Sequence, residues 1–89
     1  KCGGFTPALR MMQEAKSLGL KVMVGCMTES SVGIASIAQL SPLLDFVDMD
    51  GSLLITRDIA TGPQFIDGKT IVPTGAGIGI DKLNPLDAI

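Results

Sequence analysis

Two short, nearly continuous apolar runs, Leu20 to Cys26 (LKVMVGC) and Leu43 to Met49 (LLDFVDM), each follow a segment with helical spacing. Short apolar runs rich in Val read as strands buried on both faces, and parallel strands need a crossover helix between them. The order turn, helix, strand, helix, strand therefore constrains the chain to the α/β class, as part of a parallel sheet or a βα barrel. The first helix is expected from Thr6 as N-cap with Pro7 at the first helical position, its apolar stripe built on Ala8, Met12, Ala15 and Leu18. Gly19 suits the residue just past its end. The second helix is expected over Val32 to Leu40, with Thr28 to Ser31 as candidate caps and Ser41-Pro42 closing it.

From about Ser52 the character changes. Asp67-Gly68 between Gln64 to Ile66 and Thr70 to Val72 is a hairpin signal, because a two-residue turn of that type needs positive φ at both positions. Gly75, Gly77 and Gly79 alternate with Ala76, Ile78 and Ile80, and the stretch from Asp81 to Ile89 reads as a tail lying over something else. The spacing GxGxG, without a following helix pattern or an acidic residue about twenty positions on, argues against a dinucleotide turn.

The chain has 89 residues, of which 46% are hydrophobic, 18% charged and 3% aromatic. So few polar residues to cover so short a chain suggest a piece of a larger core, and with Lys1 rather than Met at the start, part of any active site is expected outside the chain. Histidine is absent, which removes Ser-His-Asp and Cys-His nucleophiles and His-ligated zinc from this segment. A formal net charge of −2 with scattered basic residues gives no footprint for nucleic acid, and no apolar run is long enough to span a bilayer, so a cytoplasmic protein is the expectation. Cys2 and Cys26 lack CxxC spacing and read as buried free thiols.

The most informative pair is Asp48 and Asp50. Residues two apart on a strand project to one face, which sets these carboxylates about 6 to 7 Å apart. Two like charges at the end of an apolar strand call for a cation between them, a divalent metal or an ammonium, unless both are solvated turn residues before Gly51. Strand ends are where βα folds bind ligands. At the other strand end, Cys26 and Thr28 continue the parity of Val22 and Val24 and leave room at the mouth, while Glu29 is an acid, a hydrogen-bond partner or a first-turn helix residue. Asp48-Met49-Asp50-Gly51 lacks the later ligands of a calcium loop.

Lys1-Cys2-Gly3-Gly4, Met23-Val24-Gly25-Cys26-Met27-Thr28-Glu29-Ser30, Asp48-Met49-Asp50-Gly51 and Gly77-Ile78-Gly79-Ile80 together resemble the C-terminal third of the dipeptide epimerases, L-Ala-D/L-Glu epimerase-like enzymes of the enolase superfamily in its muconate-cycloisomerase-like subgroup. The resemblance implies the C-terminal part of a modified TIM barrel plus a tail joining a capping domain. Residues 1–51 would run from after strand six through strand eight, and residues 52–89 would pack on barrel and cap. It implies an isomerase that moves the proton alpha to a carboxylate from one face to the other, with Mg2+ and a lysine on each side of the carbon. Lys1 matches only the second basic position of the sixth-strand signature, so the catalytic lysine is expected just upstream, and neither catalytic nor metal-binding residues are expected within the chain. What the resemblance assigns here is substrate binding. Asp48 and Asp50 would hold the free ammonium of a dipeptide, and Cys26 and Thr28 would line the pocket.

Other enzymes of the subgroup (cycloisomerase, o-succinylbenzoate synthase, N-succinylamino acid racemase) offer no ammonium at this point. A non-catalytic α/β binding segment is the alternative from another class. The preferred dipeptide and the oligomeric state, a homo-oligomer among the options, stay open.

Overall fold

The computed structural model describes residues 1–85. The last part of the expected tail, residues 86–89, lies outside the described residues. Helix α1 runs over Phe5–Ser17, and its N-cap is Gly4 at φ 133°, not Thr6. Pro7 has no N–H, so it fits the first turn, where that donor would have no partner, and the first turn closes when Ala8 N donates to Gly4 O at 3.1 Å. Gly19, at φ 75°, ends the helix as expected. Its N–H donates to Lys16 O at 3.0 Å and that of Leu20 to Ala15 O at 2.9 Å, the paired bonds of a Schellman turn.

Strands β1 (Met23–Val24) and β2 (Phe46–Val47) are parallel, with Met23 opposite Phe46 and Val24 opposite Val47. Between them crosses helix α2, Ser31–Leu40. Pro42 does not simply stop that helix: Ser41–Leu43 tighten into a 3₁₀ turn, and this is why β2 begins at Phe46 rather than Leu43. The expectation that both strands are buried on two faces is also corrected, since Met23 is 62% and Phe46 57% exposed. Among the described residues each strand has a single parallel neighbour, and no element covers the face that carries Met23 and Phe46.

The core lies on the other side. Ile34 and Ala38 of α2 are fully buried against Met49, with Cys26, Ile37, Phe65 and Val72 packed around them. Burying Ile34 alone is worth about 1.5 to 3 kcal/mol. Phe65 and Val72 belong to the segment after Ser52, where β3 (Gln64–Ile66) and β4 (Lys69–Ile71) form the antiparallel hairpin the sequence called for. Asp67 and Gly68 take φ 51° and 75°, the two positive values of a type I′ turn, and β4 starts one residue earlier than expected. Gln39 of α2 donates through Nε2 to Pro73 O at 3.0 Å and Ile78 O at 3.1 Å, tying the glycine-rich stretch to the same helix. Gly79, at φ 84°, sits where any side chain would overlap Pro73. These glycines serve a turn, and after Gly79 the chain reaches an isolated antiparallel bridge between Ala60 and Leu83.

Candidate functional site

The ends of β1 and β2 lie side by side, and what they present follows from one alternation. Met49 is buried in the core while Asp48 and Asp50 on either side are exposed, so packing of the middle residue turns both carboxylates to the open side. The backbone at Met49 is not extended (φ −128°, ψ 18°), and Asp50 opens a 3₁₀ turn, Asp50–Leu54. This contraction corrects the expected spacing. One oxygen of each carboxylate and the Cys26 sulfur lie within 4.8 Å of one another, closer than a straight strand would set them. The sulfur is 3.8 Å from Asp48 Oδ1 and 3.9 Å from Asp50 Oδ1, within reach for a thiol to donate to either. Asp50 N also approaches Asp48 Oδ1, at 3.5 Å.

Gly51 holds the two strand ends in this contact. It is buried, and a Cβ on it would overlap the Met27 carbonyl oxygen and come within 3.2 Å of both Cys26 Sγ and Glu29 N. Burial pushes the Cys26 thiol above its ordinary pKa; the Gly51 backbone opposes this, and the charges of Asp48, Asp50 and Glu29 reinforce it. The thiol thus stays protonated at neutral pH, a weak donor rather than a third anion.

Cys26 arrives from the packed side of the sheet. Val24 lines a cleft with Ser36, Ile37 and Leu40 of α2, and Cys26 continues that parity onto the core, meeting the carboxylates only where the pleat ends. Thr28 does not keep the parity: it is exposed, beyond the strand. The two cysteines are free, as expected, but Cys2 is exposed and Cys26 only half-buried. Glu29 is not a first-turn residue, because it precedes the N-cap Ser30; its carboxylate lies over Gly33 in the cleft that Lys1, Phe5 and Val24 also line.

One residue of this region has no local signal in the sequence. Asp58, in the segment after β2, accepts from Ser31 N at 3.0 and 3.1 Å and from Ser31 Oγ at 2.6 Å, and so caps α2 from 27 positions away. Its carboxyl is held below the usual range: burial alone would raise it, but the bonds from Ser31, Ala60 and Ile59 prevail. The bond from Ala60 N to Asp58 Oδ1, two residues on, is the longer one at 3.4 Å.

Two carboxylates with a protonated thiol between them make a poor Mg2+ site, since magnesium demands near-octahedral oxygen ligands and a thiol contributes none. An ammonium suits them better, with three donors for converging acceptors.

The family model for the enolase C-terminal domain-like fold matches residues 1–84. The chain belongs to that family. Over 81 residues it is 64% identical to an L-Ala-D/L-amino acid epimerase of a Maribacter species, covering 90% of this chain and 24% of that protein. Over 83 residues it is 45% identical to an L-Ala-D/L-Glu epimerase of Bacteroides thetaiotaomicron, covering 93% of this chain and 22% of that protein. The chain thus spans about a quarter of the length of these relatives. In fold it is similar to the L-Ala-D/L-Glu epimerase of Bacillus subtilis, solved as a substrate-liganded complex, with a TM-score of 0.77 at 24% identity over 90% of this chain and 23% of that one. The α/β unit with its appended hairpin is therefore a portion of the enolase-superfamily fold.

Proposed function

We propose that the full-length protein is an isomerase that epimerises dipeptides at the α-carbon of the second residue, and that this segment binds the substrate's free α-ammonium between Asp48 and Asp50. The observation that carries this reading is the convergence of two exposed carboxylates within 4.8 Å of each other and of a thiol that burial keeps neutral. Two anions so close repel unless a cation joins them, and an amino-terminal ammonium both neutralises them and donates to each. Cys26 supports the pair from the packed side, and Thr28, exposed on the same connection, lines the approach.

In this reading residues 1–51 are the end of a βα barrel and residues 52–89 run over it toward a capping domain. Anchoring the amine at the mouth of the last strand fixes the distance to the second residue's α-carbon, so that its proton can leave on one face and return on the other. Magnesium would supply positive charge to stabilise the deprotonated substrate; among the described residues no set suits it, and in this reading its ligands and the catalytic lysine lie outside this segment, which spans about a quarter of its relatives' length. The substrate is a small soluble molecule and the setting cytoplasmic. No helix among the described residues is long and apolar enough to cross a membrane.

The test is α-proton exchange of the second residue in deuterated buffer with magnesium, run on full-length protein across a dipeptide set and the matching N-acetylated dipeptides. Exchange confined to free-amine dipeptides is expected. Equal exchange of the N-acetylated forms points instead to a subgroup enzyme with acylated substrates, and no exchange at all points to a binding segment without catalysis.

A further inference from the structure

The two carboxylates sit at the end of β2, yet the connection that braces them, Cys26 to Ser30 after β1, is held at its far end by a residue of neither strand. Asp58 places both carboxylate oxygens on Ser31, at 3.0 and 3.1 Å from its N–H, and takes the hydroxyl proton at 2.6 Å. Ser30, the N-cap, makes no side-chain cap of its own, so Asp58 supplies the missing acceptor at the first turn of α2. Asp58 is itself fixed: Asn84 Nδ2 donates to its carbonyl at 2.7 Å, and Asn84 N donates to Ile59 O at 2.6 Å. Next to this clamp, a Cβ on Gly62 would come within 2.9 Å of both the Ser31 Cβ and its carbonyl oxygen, so the segment after β2 presses directly on the start of the helix.

The connection is thereby gripped twice. Gly51 packs under Met27 and Glu29 at one end, and Asp58 pins Ser31 at the other, with Cys26 against Asp48 and Asp50 between the β1 strand and the first grip. We propose that Asp58 is a positioning residue for the amine site: through Ser31 it sets the path of residues 26–30, and with it the placement of the Cys26 sulfur against the two carboxylates. Asp58 touches no substrate. Its effect reaches the ligand only as geometry, and therefore as affinity rather than as rate of proton transfer. This inference rests on the function proposed above, and the experiment separates failure of one from failure of the other.

The full-length enzyme is compared with Asp58→Asn, which keeps the shape but weakens the acceptors, and with Ser31→Ala, which removes only the hydroxyl bond. KM and kcat are measured for a dipeptide that the wild type epimerises, alongside amide hydrogen exchange over residues 26–31. Asp58→Asn is expected to raise KM about 5- to 30-fold with kcat within about twofold, and Ser31→Ala to raise KM by less. Amides 26–31 should exchange faster in both. A merely structural role would lower the folded fraction, which reduces apparent kcat and leaves KM unchanged; that result overturns the proposal. Should Asp58→Asn fail to fold, Ser31→Ala carries the same comparison, and an unaltered KM there overturns it equally. If the wild type turns over no dipeptide, the functional reading has failed, while unchanged exchange at 26–31 in the variants would still overturn the positioning claim and faster exchange would sustain it.

Discussion

The Met27 carbonyl oxygen occupies the place where a side chain on Gly51 would begin. The contact joins the end of the strand carrying the acid pair to the connection after Cys26, so Gly51→Ala must push the two apart. It is expected to cost about 1 to 3 kcal/mol of stability, as overpacking does, and to raise KM for the dipeptide. Thermal denaturation and steady-state kinetics on the same preparation check it, and an unchanged melting temperature would mean the strand ends are free to separate.

Asp48→Asn and Asp50→Asn should each weaken selection for a free amino terminus. Losing one charge-assisted hydrogen bond costs about 1.5 to 3 kcal/mol, roughly a 10- to 150-fold fall in kcat/KM for the free dipeptide. The ratio of kcat/KM between a dipeptide and its N-acetyl derivative measures this. A ratio equal to that of the wild type would remove the ammonium assignment.

Cys26 should be slow to react. Its thiol is raised by burial and by three nearby carboxylates, so the thiolate that alkylating agents need forms only at higher pH than for an ordinary cysteine, near 8.5. The rate of iodoacetamide modification at Cys26, followed by peptide mass spectrometry, is expected to keep climbing above that pH instead of levelling off.

Asp58 makes part of the stability acid-sensitive. Its folded pKa lies below its unfolded value of about 3.9, so its contribution is complete above that value and is lost as pH falls through the folded pKa. The difference in melting temperature between wild type and Asp58→Asn should be greatest at neutral pH and shrink steadily below about pH 4. A difference that stays constant with pH would show that the carboxylate charge is not what Ser31 requires.

What the sequence disclosed was set by local chemistry. Gly19 and Asp67-Gly68 were legible because positive φ restricts which residues can stand there, and both helices were legible from their apolar spacing. The acid pair was legible as a pair, though not its true spacing, because the turn at Met49 depends on how that side chain is buried. Strand lengths were overestimated: apolar runs record which residues can be covered, whereas hydrogen-bonded strand needs a neighbour, and each run has one over two residues. The Asp58 clamp was invisible for a different reason. Its partner lies 27 positions earlier, and only tertiary packing of the segment after β2 on α2 brings that part of the chain back.

The buried Met49 between two open carboxylates divides labour along three consecutive residues. The side chain that anchors this corner does not face the open side, so positions 48 and 50 can change chemistry without disturbing the anchor. Under the amine-binding role proposed above, this arrangement lets selectivity drift by one or two codon changes while the architecture stays in place.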